Sequence, residues 1–110
     1  MEKIKLSLPA MAEYTTTLRL FVSGVATRLG LDVERMEDIK LVVSEMMIMS
    51  IKDKMDLFEM SIKVEEDALV IKAAVSKDAK DDMSIKIMEA LADEIDIKGE
   101  SIRLKFIKEK

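Results

Sequence analysis

Apolar and polar residues alternate from Lys3 to Leu8, with Ile4, Leu6 and Leu8 on one side and Lys3, Lys5 and Ser7 on the other. A period of two predicts a half-buried strand, and Pro9 stops it because proline cannot donate to a sheet ladder. From Met11 to Leu29 the period lengthens. Tyr14, Leu18, Phe21, Val22, Val25 and Leu29 follow helical spacing as far as Gly30, a residue suited to the turn that ends a helix. Asp32 is placed to cap a second helix with a buried stripe of Met36, Ile39, Val43, Met46, Met47 and Ser50, ending near Lys54. Period two then returns in two strands, with Phe58, Met60, Ile62 and Val64 inward on the first and Leu69, Ile71, Ala73 and Val75 inward on the second. The acidic turn Glu65-Glu66-Asp67 joins them as a hairpin. After the polar stretch from Ser76 to Asp82, Ile85, Met88, Leu91, Ala92 and Ile95 predict a short third helix running into a strand around Glu94 to Ile97. Gly99 turns the chain into a last strand that buries Ile102, Leu104 and Phe106 and exposes Arg103 and Lys105.

The resulting order, β-α-α-β-β-α-β-β, predicts an α+β two-layer sandwich: a mostly antiparallel sheet of about five strands with three helices on one face. A length of 110 residues fits one domain over 1–110, and 49% apolar with 36% charged residues fits a packed core under a solvated surface. The absence of Cys and His excludes disulfides, thiol nucleophiles, the usual zinc ligand sets and imidazole acid–base chemistry. The N-terminus MEKIKLSLPA has no long apolar stretch, and no run approaches the roughly 18 apolar residues that span a bilayer, so a cytoplasmic protein without membrane contact is expected. A net charge of −4 with mixed signs along the chain leads to no expectation of nucleic-acid binding, which favours a basic stripe. Arg103, Lys105 and Lys108 are read as protecting a sheet edge or face from aggregation.

Leu18-Arg19-Leu20 and Ser23-Gly24-Val25-Ala26-Thr27-Arg28-Leu29-Gly30 are followed by Ile39-Lys40-Leu41-Val42-Val43-Ser44-Glu45. Ile87-Met88-Glu89-Ala90-Leu91-Ala92-Asp93-Glu94-Ile95 and the strand from Ser101 to Phe106 complete the series. In this order and spacing the chain resembles the anti-sigma-factor serine kinases, the RsbW-like branch of the histidine-kinase-like (GHKL) ATPases. The resemblance implies the Bergerat fold, ATP bound between helices, phosphorylation of an anti-anti-sigma protein on serine, and sequestration of a sigma factor, often by a dimer.

Departures from the family's motifs decide how much of this to expect. In the E-x-x-x-N motif, a Glu activates the attacking hydroxyl and an Asn oxygen holds Mg²⁺. Here Glu45 is kept but Met49 replaces the Asn, and a soft thioether does not substitute for a hard oxygen. The D-x-G-x-G segment reads Val75-Ser76-Lys77-Asp78-Ala79; Val75 cannot accept from the adenine amino group, and a buried donor left unpaired costs about 1–3 kcal/mol. The glycine-rich phosphate cradle is replaced by Asp81-Asp82-Met83-Ser84, whose carboxylates repel phosphate. Only Ser76 to Asp82 separates the third strand from the last helix, too short for a lid over ATP. The expectation is a non-catalytic regulator without cofactor or metal. Glu45 is then vestigial, Met49, Val75, Lys77, Asp81, Asp82 and Ser84 are eroded positions, and Asp78, Asp81 and Asp82 form a solvated acidic loop. Met46, Met47 and Met49 are read as core, with Met49 plugging the vacated nucleotide cavity.

In the family, the residue matching Arg19 belongs to the surface that meets the sigma factor or its competitor. Thr16, Leu20, Ser23 and Thr27 lie opposite the core stripe of the first helix with Arg19 on their flank, and Arg19, Leu20, Thr16 and Ser23 are the expected partner face. The implied partners are a sigma factor or an anti-anti-sigma-like protein, and a second copy or homologue in a dimer. Two alternatives stand beside this reading: a residual ATP- and Mg²⁺-binding serine kinase, and a structural subunit of a larger complex.

Overall fold

The computed structural model describes residues 2–76 and 83–108. The period-two segments are β1 (Glu2–Pro9), β2 (Leu57–Val64), β3 (Ala68–Ala74), β4 (Glu94–Lys98) and β5 (Ser101–Ile107). They form one sheet in the order β1-β2-β3-β5-β4, with every neighbouring pair antiparallel. Helices α1 (Thr15–Leu29), α2 (Val33–Lys52) and α3 (Met83–Leu91) cover one face, as the sequence pattern predicts. Register explains why the pattern works: Ile4, Ile62, Ile71, Leu104 and Ile95 stand opposite one another in a single row across all five strands. A slip of one residue in any strand would turn its whole apolar set away from the helices. None of the described helices is long and apolar enough to cross a membrane.

Several boundaries differ from expectation for identifiable reasons. Pro9 is included in β1, opposite Leu57, because β1 is an edge strand where a missing N–H breaks no ladder. The expected helix from Met11 is divided: Met11 is extended, Ala12–Tyr14 form a 3-10 turn closed by Tyr14 N–H on Met11 O, and α1 begins only at Thr15. Tyr14 therefore stays 36% exposed instead of entering the core. The buried face of α1 is Leu18, Val22, Val25 and Ala26, with Phe21 and Leu29 packed at its margin. Helix α2 ends at Lys52 rather than near Lys54, which adopts φ 56° in the following turn. Its buried stripe contains the expected Ile39, Val43, Met46, Met47 and Ser50, and Val42 and Met49 join them. Strand β5 lies between β3 and β4, so Arg103 and Lys105 belong to the sheet's open face and protect no edge.

The two long helices are joined by a tight corner that the sequence encodes well. Gly30 takes φ 80°, and its N–H bonds the Thr27 carbonyl at 3.0 Å. Asp32 then accepts from the Arg35 backbone N–H at 2.8 Å, satisfying one of the unpaired donors at the start of α2. Replacing Asp32 with Ala is expected to lower the unfolding free energy by about 1 kcal/mol, measured by urea denaturation.

Candidate functional site

The end of α2 and the start of α3 bring the sequence-predicted site together. Glu45 lies half-buried on α2, and Ser84, in the first turn of α3, donates its hydroxyl proton to Glu45 Oε1 at 2.8 Å. Ser84 is only 2% exposed. Glu45 is thus one member of a polar link between two helices. One turn further along the same flank of α2, Met49 is 1% exposed and belongs to the core cluster that also contains Val75, Ile85 and Met88. The position that the resemblance matches to the motif's magnesium-binding amide is filled here by a buried thioether. Val75 is buried as well and offers no side-chain acceptor. Among the described residues, no group of three or more acidic side chains is placed to hold a metal ion. Lys77, Asp78, Asp81 and Asp82 lie outside the described residues.

Chemically, this arrangement offers one carboxylate, already accepting a hydrogen bond from an internal serine, beside an apolar floor. A carboxylate has lone pairs to spare, but neither Met49 nor Val75 can supply a hard oxygen for Mg²⁺ or an acceptor for an adenine amino group.

The expected partner face forms a second, separate feature. Thr16, Arg19, Leu20 and Ser23 line a shallow groove of about 220 Å³ with Lys40 of α2. Arg19 also borders a neighbouring hollow with Glu37, Asp38, Leu41 and Ser44. Leu20 is 70% exposed and Leu41 45%, so two apolar side chains stand in water on this face. Two hydroxyls are committed to their own helix: Ser23 Oγ donates to Arg19 O at 2.7 Å, and Thr27 Oγ1 donates to Ser23 O at 2.8 Å. They can accept from a partner but have no proton left to give. Arg19 makes no such bond among the described residues, leaving its planar fork available.

Sequence reasoning missed Arg35, a side chain with several partners among the described residues. Arg35, on the first turns of α2, donates from Nη1 to the Leu91 carbonyl at 2.9 Å and to Asp38 at 3.4 Å, and pairs through Nη2 with Asp93. Its guanidinium lies 5.2 Å from the centroid of Phe106. Asp93 also accepts from Ile107 N–H at 2.6 Å, so one arginine joins α2, the end of α3 and β5. The only local signal was the i, i+3 spacing of Arg35 and Asp38.

No protein-family model matches the chain. The serine-protein kinase RsbW of Bacillus cereus (strain G9842) is 37% identical to it over 89 residues, which are 77% of this chain and 56% of that protein. The chain is thus similar to the anti-sigma-factor kinases over 77% of its length. A second family member, the serine-protein kinase RsbW of Listeria monocytogenes serotype 4a, is 47% identical over 51 residues, 46% of this chain and 32% of the relative. The family's fold is seen in the crystal structure of the RsbU and RsbW domains of a Mycobacterium tuberculosis protein, which matches 98% of this chain and 32% of that one with a TM-score of 0.71 at 15% identity. The chain spans little more than half the length of the Bacillus cereus family member, and less of the Listeria one.

Proposed function

We infer that this chain is an anti-sigma-factor-like regulator that works by binding proteins and does not transfer phosphate. The observation that carries the reading is Met49: four residues after the retained Glu45, where the family's motif needs a metal-binding amide, the side chain is 1% exposed within the core. Val75 and the Ser84–Glu45 hydrogen bond support it from two other directions, one removing an adenine acceptor and the other engaging the carboxylate internally. The partner is a sigma factor or an anti-anti-sigma-like protein, held by Arg19 and Leu20 on the outer face of α1, with a second copy or homologue as a further partner. Exposed Leu20 beside a free guanidinium combines apolar contact with a directional donor, the mixture common in interface anchors.

A second reading has two observations in its favour. Glu45 is retained, and the relatives are named serine-protein kinases, which fits a residual kinase working with altered ligands. Capture experiments separate the two. Tagged protein incubated with native extract is expected to retain a sigma factor or anti-anti-sigma-like protein equally well with and without Mg²⁺ and ATP. The double substitution Arg19→Glu with Leu20→Asp is expected to reduce capture at least about tenfold, the loss of one well-placed anchor. Capture that requires ATP would favour the kinase reading, and capture unchanged by the double substitution would move the partner to another surface.

A further inference from the structure

A sheet covered by helices on one side presents the alternate residues of every strand on the other. Register places Lys3, Lys63, Val70 and Lys105 side by side in one row of this open face, and Lys5, Ser61, Lys72 and Arg103 in the next. Six cations thus share two adjacent rows across four strands, in a chain whose net charge is −4. Glu65 is shared between Lys63 at 3.9 Å and Lys105 at 3.8 Å. Among the described residues, Lys3, Lys5, Lys72 and Arg103 have no ion-pair partner. The rows end at β4 on Glu94, opposite Lys105, and Asp96, opposite Arg103. A shallow hollow of about 520 Å³ is lined by Lys5 and Lys72, by the small residues Ser7, Ser61, Ala74 and Ser101, and by two carboxylates, Glu59 and Glu100.

We propose that the open face of the sheet is a docking surface for a short acidic segment of a partner polypeptide. Like charges gathered in adjacent rows repel one another, and a partner's carboxylates seated over Lys3, Lys5, Lys72 and Arg103 relieve that repulsion. Dimensions match: four strands about 4.8 Å apart make a patch about 15 Å wide, the length of four or five extended residues. A nucleic acid fits less well. Phe58 and Phe106 are buried in the core, and Phe21 and Tyr14 belong to the helical layer, so the face has no aromatic platform on which bases stack. Glu94 and Asp96 also close the cationic rows instead of letting a phosphate track continue. This surface lies on the opposite layer from Arg19 and does not rest on the partner face of α1.

Fluorescence anisotropy tests the proposal on the full chain, using as probes a labelled peptide of alternating Glu and Ser and a labelled single-stranded oligonucleotide of equal charge. Saturable peptide binding is expected, weakening about tenfold between about 50 and 300 mM salt because the pairs are exposed. Combined Lys5→Glu, Lys72→Glu and Arg103→Glu substitutions are expected to weaken it at least about tenfold, with Lys86→Glu on α3 leaving it unchanged. If the charge-reversed variant does not fold by circular dichroism, the Lys5→Gln, Lys72→Gln, Arg103→Gln variant carries the test with the same direction. Absence of saturable binding at low salt, binding indifferent to the folded variant, or tighter binding of the oligonucleotide than of the peptide would each overturn the proposal.

Discussion

Replacing Arg35 with methionine is expected to lower the unfolding free energy by about 3 kcal/mol and the Tm by about 15 °C. Methionine keeps much of the aliphatic volume, so the loss isolates the guanidinium. Without it, the Leu91 carbonyl loses its donor, Asp93 loses its counter-charge, and Phe106 loses the cation beside its ring. Removing one partner from a fully buried ion pair costs about 3–5 kcal/mol, because the other charge stays behind uncompensated. Asp93 is 33% exposed and can partly rehydrate, which places the expectation at the lower end of that range. Asp93→Asn is the informative companion: its amide oxygen can still accept from Ile107 N–H and from the guanidinium, so its loss is expected to be about 1 kcal/mol. Thermal and urea unfolding read both. A change below about 0.5 kcal/mol for Arg35→Met would mean that this junction is surface decoration rather than the tie between α2, α3 and β5.

Met49→Asn is expected to destabilise the protein by a similar amount, about 3 kcal/mol, and to confer no nucleotide binding. The thioether is 1% exposed in the core cluster, so the substitution removes buried hydrocarbon and places a polar amide in a largely apolar setting. Restoring the family's residue at one position leaves Val75 without an acceptor and leaves Ser84 bonded to Glu45. The two ways of seeing Met49 differ sharply here. If it merely bordered an open nucleotide cavity, an asparagine would be solvated and the change nearly neutral, within about 0.5 kcal/mol. Urea unfolding of the variant distinguishes these outcomes, and titration of the folded variant with ATP and Mg²⁺ checks the second half of the expectation.

Periodicity made most of the fold legible because it reports which side of an element is dry. Ile102, Leu104 and Phe106 could face the core only in a strand, and Ile39, Val43, Met46 and Ser50 only in a helix. Met49 was legible for the same reason: its i, i+4 spacing from Glu45 places both on one helical flank, whatever the rest of the chain does. Contacts between distant segments were not. Arg35 and Asp93 are 58 residues apart and Ser84 and Glu45 are 39 apart, and no local pattern distinguishes these side chains from solvated ones. Strand order was hidden as well. Lys3, Lys5, Lys63 and Lys72 look like ordinary outward lysines until β5 inserts between β3 and β4 and adds Arg103 and Lys105 to the same two rows. The start of α1 was misplaced because Tyr14 has helical spacing to Leu18, whereas Pro9 and the extended Met11 delay the helix by one 3-10 turn.

Calorimetric titration of the full chain with ATP in the presence of Mg²⁺ tests the non-catalytic reading most directly. With Met49 buried in place of a metal-binding amide and Val75 in place of an adenine acceptor, no saturable heat is expected up to about 1 mM nucleotide, corresponding to binding weaker than about −4 kcal/mol. A dissociation constant in the low-micromolar range would contradict it and return the chain to the working kinases.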